Sequence, residues 1–349
     1  MKRILLIPGD GIGPEVMGHA KNLFCTIGRN RNLEFSITEA DWGAERWLKE
    51  GVGIPKGELS LLPKKYDAIL FGALGDPRIP DMAHGRAILL ELRAGLDLYI
   101  NLRPVKLLHN RLGVLKAADV LNIDMVIFRE NTQDIYGGNG GFLHQNTPNE
   151  ITIDESIHTH HGVKRIIHEA FKYAQKYQRK RVTLVDKSNA IKFGGSLWQR
   201  LFKEVSRKFP EIKADHLFVD VAAYYLVQNP ARFDVIVTSN LFGDILSDLG
   251  AGIAGGLGLA SSANINPEAL ALFEPVHGSA PDIAGKGIAN PFAMFLSVAM
   301  MLDHLDYSSV AQEIRQAIVK AIENHQCTRD LGGQLNGAEA AQYIIEQFA

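Results

Sequence analysis

Asp244 and Asp248 stand four positions apart in NLFGDILSDLG (240–250), immediately after the apolar run FDVIVTS (233–239). On a helix that spacing sets both carboxylates on one face, with Leu241, Ile245 and Leu249 expected as the buried stripe beside them. Two like charges so placed either stay in solvent or gather a cation between them. The glycine-rich AGIAGGLGL (251–259) just beyond would allow close backbone approach, the pattern of a divalent-cation site. Asp220 ends HLFVD and Lys187 ends RVTLVDK, so both fall at the end of a buried strand, the place where open α/β sheets bind ligands. A lysine near two carboxylates and a metal can shift toward neutrality and serve as a base. Tyr136, in RENTQDIYGG, offers a phenol as an acid. A salt-bridged lysine and a surface tyrosine are the plainer alternatives.

Arg93 lies on the helical stretch AILLELRAG, Arg103 ends YINLRP, and Arg129 closes the apolar strand DMVIFRE. Guanidinium groups at the ends of apolar strands are costly unless they meet an anion. Together the three could hold a di- or tricarboxylate through forked hydrogen bonds, although a structural ion pair would account for any one of them. The opening IPGDGIGPE puts Gly9, Gly11 and Gly13 between a strand and a helix. A dinucleotide fingerprint would need a small residue where Pro14 stands, which leaves a tight turn that a ligand could approach. The segment LFEPVHGSAPDIAGKGIANP (272–291) is too small in side chain to be core and reads as a loop wrapped against a ligand. An acid such as Asp282 suits a ribose diol and repels a 2′-phosphate, which favours NAD over NADP.

These residues need a scaffold, and the alternation of strand and helix patterns supplies one. ILLIP (4–8), LEFSITEA (33–40), YDAILFG (66–72), DMVIFRE (124–130), RVTLVDK (181–187), HLFVDVA (216–222) and FDVIVTS read as strands separated by helical stretches, hence an α/β fold with a largely parallel sheet. After Gly250 the pattern turns helix-rich, at 290–305 and 308–325, and those helices need the N-terminal strands to cover. The expected organisation is a discontinuous first domain, 1–98 plus 253–349, and a second domain, 99–252. Within the second, 137–157 is irregular with one alternating stretch, EITIDES, which suits a two-stranded arm that pairs with a second subunit or else a surface hairpin.

The 349 residues carry a net charge of −2, which leaves no electrostatic footprint for nucleic acid or a membrane surface. Two cysteines, Cys25 and Cys327, form no framework and show no metal spacing. MKRILLIPGDG has too short an apolar run for a signal peptide, and no segment approaches the roughly 20 apolar residues of a membrane span. A soluble, cytoplasmic protein is expected.

Taken together, IPGDGIGPE, GLDLYINLRPVK (95–106), FRENTQDIYGG, VDKSN (185–189), NLFGDILSD and EPVHGSAPDIAGKGIANP resemble, in order and over nearly the whole chain, the β-decarboxylating dehydrogenases. That family acts on 3-isopropylmalate, isocitrate, homoisocitrate, D-malate and tartrate. The resemblance implies the family's two-lobed fold with a dimer-forming β arm, and a role for each candidate residue. Arg93, Arg103 and Arg129 would grip the malate carboxylates. Asp220, Asp244 and Asp248 would coordinate Mg²⁺ or Mn²⁺, and Asp220 would also touch substrate. Tyr136 and Lys187 match the catalytic pair, with Lys187 and Asp220 supplied by the neighbouring subunit of a homodimer. NAD would lie against Glu274, His277, Gly278, Ser279, Ala280, Pro281, Asp282, Ile283 and Asn290. The acid-then-apolar pair Asp282-Ile283 matches the NAD-type members.

For substrate, Leu89 and Leu90 fall four and three positions before Arg93, where isopropylmalate enzymes present leucines, and this disfavours tricarboxylates. D-malate and tartrate enzymes carry leucines there too. Two departures stand out: Arg86, where isopropylmalate enzymes usually have glutamate, and GALGDPRIPDM (72–82), closer to the tartrate and malate wording. The implied reaction is NAD-dependent oxidative decarboxylation of a 3-substituted malate, with 3-isopropylmalate first. D-malate, tartrate or a pathway-specific analogue is the alternative. A non-catalytic regulatory paralogue would have lost some of Tyr136, Lys187 and the three aspartates, and all are present.

Overall fold

The computed structural model describes residues 1–115 and 122–349. Its strands are β1 (Lys2–Gly9), β2 (Phe35–Glu39), β3 (Ala68–Ala73), β4 (Ile100–Lys106), β5 (Asp124–Glu130), β6 (Gly140–Leu143), β7 (Ile151–Asp154), β8 (Arg181–Asp186), β9 (Lys213–Phe218), β10 (Val235–Thr238), β11 (Ser261–Ile265) and β12 (Ala271–Pro275). The chain divides into two compact units, the first being Met1–Leu98, Leu107–Val114 and Ala251–Ala349, the second Tyr99–Lys106 and Leu115–Gly250.

In the first unit the strand order is β2-β1-β3-β12-β11, with all pairs parallel except β11 and β12. β3 is buried at every position, as expected of an apolar run covered on both faces. The cover includes the helix Phe292–His304, which is apolar nearly all round and buried from Phe292 to Ala299. The segment 107–114 packs with this unit, although its place in the sequence suggested the second. The reason is Arg111, whose guanidinium donates to the carbonyls of Ile322 (2.7 and 2.9 Å) and Leu331 (2.6 Å).

In the second unit the order is β4-β5-β10-β8-β9, antiparallel between β4 and β5 and parallel elsewhere. The short strand β10 is wholly buried and leads directly into the helix Asn240–Ile253. β6 and β7 form a separate antiparallel hairpin, exposed along its whole length. An isolated hairpin is marginal in water, and this one displays Phe142, Leu143, Ile151 and Ile153, each 45% exposed or more.

Three local expectations change. The strand expected at 216–222 ends at Phe218, and Asp220 lies in the first turn of the helix Val219–Gln228, where the helix dipole favours an acid. Arg103 sits in mid-strand, because β4 continues through the exposed Pro104. On the helix Asn240–Ile253 the buried face is Gly243, Leu246, Ser247 and Gly250, while Ile245 is 56% exposed. Small residues win that face because it lies close on strands: a Cβ at Gly243 would meet the Arg129 Cβ at 2.6 Å, and one at Gly250 the Val105 Cγ2 at 2.8 Å.

Candidate active site

The pairing of β4 with β5 sets Asn101 opposite Arg129, with Arg103 two residues further along β4. Both arginines are buried, Arg129 at 1% exposure, so each needs its charge answered. The small-faced helix answers it. Arg129 donates through Nε to Asn240 Oδ1 (2.8 Å) and pairs through Nη1 with Asp244 Oδ1. Arg103 donates to Asn101 Oδ1 (2.6 Å) and Ser247 Oγ (2.6 Å), and its Nη1 lies 3.3 Å from Asp244 and 3.5 Å from Asp248. Tyr136 completes the cluster, its hydroxyl donating to Asp244 Oδ2 (2.7 Å) and its ring lying 5.0 Å from the Arg129 guanidinium.

The electrostatics follow from this crowding. Burial, joined by the bond to Asp244, holds the Tyr136 phenol above its ordinary value and therefore protonated at neutral pH. Burial chiefly, with the nearby Asp244 charge adding to it and Arg103 opposing, raises the Asp248 carboxyl. Two carboxylates one turn apart, with oxygen donors and partial exposure (37% and 56% for the side chains), fit a hard divalent cation such as Mg²⁺ or Mn²⁺. Lys187, one residue past β8, pairs with Asp220 at 2.5 Å, and that bond holds the Asp220 carboxyl below the usual range. Among the described residues no set of three or more His, Cys, Asp or Glu gathers as a metal cage, so the chain alone does not bring Asp220 to the other two acids.

In the first unit, Arg93 is buried on the helix Glu91–Gly95 and donates to Glu274 Oε1 on β12 (2.9 Å), which also receives Asn264 (2.8 Å). Its Nε is buried with no hydrogen-bond partner. The same unit holds a cavity of about 760 Å³ with an apolar side, Ile12, Leu257, Ile283 and Ile288, and a polar side that includes His277, Asn290, Asp330 and Glu339. The glycine turn serves its wall: Ile12 N donates to Ser279 O (2.9 Å), and a Cβ on Gly11 would meet that carbonyl at 2.0 Å. Gly9 and Gly13 similarly pass against Ala73 O and Pro8 O. The turn is thus glycine-rich because chain crosses chain there, and no ligand is needed to explain it.

The model of the isocitrate/isopropylmalate dehydrogenase family matches residues 3–346. The chain belongs to that family. As a member it is a dehydrogenase. It is 42% identical to the 3-isopropylmalate dehydrogenase of Thermobifida fusca over 99% of this chain and 98% of that one. It is 46% identical to that of Clavibacter sepedonicus over 90% and 89%. The crystal structure of isocitrate dehydrogenase from Methylococcus capsulatus superimposes with a TM-score of 0.89 at 37% identity, covering 100% of this chain and 99% of that one.

Against the family's motifs, the second unit brings Arg103, Arg129, Tyr136, Asp244 and Asp248 together, with Lys187 and Asp220 as a separate pair. Of the residues expected to bind cofactor, His277, Gly278, Ala280, Ile283 and Asn290 line the cavity. Ser279, Glu274, Pro281 and Asp282 are absent from the lining: Ser279 is buried, Glu274 is engaged by Arg93, and Pro281 and Asp282 are exposed. Leu89 packs against the core cluster containing Ile88 and Leu92, while Leu90 is half-buried in a π-helical stretch, Arg86–Leu90. The C-terminal wall, Arg329, Asp330, Gln334, Leu335, Asn336 and Glu339, was not foreseen from the sequence. One local signal was available there: Asn336 and Glu339 form a capping box at the start of the helix Gly337–Glu346.

Proposed function

We propose that this dehydrogenase carries out the NAD-dependent oxidative decarboxylation of 3-isopropylmalate to 4-methyl-2-oxopentanoate and CO₂, a step of leucine biosynthesis, in the cytoplasm. The convergence of two buried arginines and a protonated tyrosine on one aspartate carries the reading. The names borne by the relatives supply the substrate. Arg103 and Arg129 bind carboxylate oxygens of the malate. Arg93 keeps a buried, unpaired Nε–H that a further carboxylate oxygen would satisfy. Asp244 and Asp248 hold the divalent cation, with Asp220 of a second copy as third acid. When bound, the cation and NAD supply Lewis-acid polarisation of the C2 oxygen and a hydride acceptor.

Lys187 of the second copy, paired there with Asp220, takes the proton of the C2 hydroxyl, and Tyr136 gives its own to C3 after the β-carboxylate has left. The first-unit cavity has the size and mixed lining of a cofactor cleft, and His277 Nε2 is a buried atom there with no partner. Leu90 faces the apolar substituent. The exposed apolar hairpin β6-β7 joins the two subunits, and sedimentation of the purified protein reads the dimer directly. The deciding experiment measures NADH formation with 3-isopropylmalate, D-malate, tartrate and isocitrate, each with NAD or NADP and Mn²⁺. The expected best pair is 3-isopropylmalate with NAD. A best pair of isocitrate with NADP would overturn both assignments.

A further inference from the structure

Behind Tyr136 lies a chain of polar groups that the reaction itself does not use. Trp198, on the helix Lys192–Ser206, donates its indole N–H to His158 Nδ1 at 3.2 Å. An indole nitrogen can only donate, so Nδ1 is bare and the ring proton of the neutral imidazole sits on Nε2. That nitrogen lies 2.8 Å from Ser156 Oγ, which accepts from it and passes its own proton toward Asp134 Oδ1. The direction of every bond is therefore set by the indole at one end and the carboxylate at the other.

The ring is well seated. Its side chain is 8% exposed, and a Cβ on Gly194, in the same helix as Trp198, would meet its Cδ2 at 2.6 Å. Burial foremost lowers the His158 pKa, against the pull of Asp134. The charged groups nearby are Asp134, 4.0 Å away, and Asp186 and Lys187, which line with His158 one cavity of about 70 Å³.

Asp134 is where the chain of bonds meets the active site. It is buried, and it adopts φ +71, a left-handed value that a non-glycine residue holds only when its surroundings insist. Its carboxylate accepts from Ile135 N (3.0 Å), which shapes the turn carrying Tyr136, and from Leu241 N (3.0 Å), in the first turn of the helix carrying Asp244 and Asp248. One side chain thus sets both the proton donor and the acidic helix.

We propose that Ser156 and His158 are positioning residues, whose hydrogen-bond relay from Trp198 to Asp134 places Tyr136 against the helix of Asp244 and Asp248. What is being positioned rests on the proposed function of the site. A displacement of about 1 Å at a reacting group can cost on the order of 100-fold in rate, so a partial loosening is expected to cost about tenfold. In the full-length enzyme with 3-isopropylmalate, NAD and Mn²⁺, Ser156→Ala should lower kcat about tenfold with both KM values held within about twofold, and Ser156→Thr should restore most of the loss. Wild-type kcat in Ser156→Ala, or an equal loss in both variants, would overturn the proposal.

A second measurement is independent of turnover. The ¹⁵N resonances of the His158 ring, assigned by comparison with His158→Gln, should show a neutral Nε2–H tautomer at pH 7. An Nδ1–H tautomer or a charged ring would overturn the relay even in an active enzyme. The expected tautomer in a protein inactive on every malate analogue would support the relay and count against the substrate reading alone.

Discussion

Among single residues, Asp244 is where the cluster converges, meeting Arg129, Arg103 and Tyr136 at once. Asp244→Asn keeps its shape and removes the charge that answers two buried guanidinium groups. Loss of a buried ion-pair partner costs about 3–5 kcal/mol, but Asp244 is itself more than a third exposed, so about 1–2 kcal/mol is expected here. Turnover should fall at least about 100-fold, because the same carboxylate orients the tyrosine and would hold the cation. Steady-state assays beside a urea titration check both figures, and near-normal activity would remove Asp244 from the site. Residue types and spacing named these residues as candidates beside plainer alternatives, and roles for them came only with the resemblance to the family. Which oxygen faces which donor was not readable, since that depends on β4, β5 and the helix meeting in space.

One level up, the helix Asn240–Ile253 can approach the arginine-bearing strands only because its buried face is small. Gly243→Ala forces a methyl group to within 2.6 Å of Arg129 Cβ and Cγ. The variant should lose about 1–3 kcal/mol of stability through overpacking, and activity with it. Gly252, in the same helix, has open space where its Cβ would stand, so Gly252→Ala should gain about 0.5–1 kcal/mol from helix propensity. Urea midpoints of the two variants moving in opposite directions would confirm the packing argument, and a neutral Gly243→Ala would refute it. A sequence pattern marks Leu241, Ile245 and Leu249 as the buried stripe because it ranks side chains by hydrophobicity. The fold buries the glycines because distance to the strand mattered more.

For the molecule as a whole, stability should depend on pH through histidines held neutral in the first unit. Burial holds both His19 and His304 below their ordinary value of 6.5, with Asp306 opposing in the second case. The unfolded chain therefore binds protons at a higher pH than the folded one. The stabilisation is fully present above about pH 6.5 and is lost as pH falls through the depressed folded values. Urea midpoints should decline from pH 7.5 to 5.5, and less so in a His19→Gln, His304→Gln double variant. An unchanged slope in that variant would assign the decline to other groups.

Strand and helix periodicity and ordered motifs are local properties of a chain, so the α/β class and the family were legible from the order of amino acids alone, and the same motifs named the candidate site residues. The exposed hairpin was legible in outline, since 137–157 reads as an irregular segment with one alternating stretch, EITIDES, suited to an arm or a surface hairpin. It took the folded chain to show that 107–114 packs with the first unit, that Asp220 begins a helix, and that the opening glycines exist for chain crossings. The C-terminal wall of the cavity and the relay from Trp198 to Asp134 were likewise invisible beforehand. Both join residues tens of positions apart, and no local pattern records which distant side chains will share a hydrogen bond.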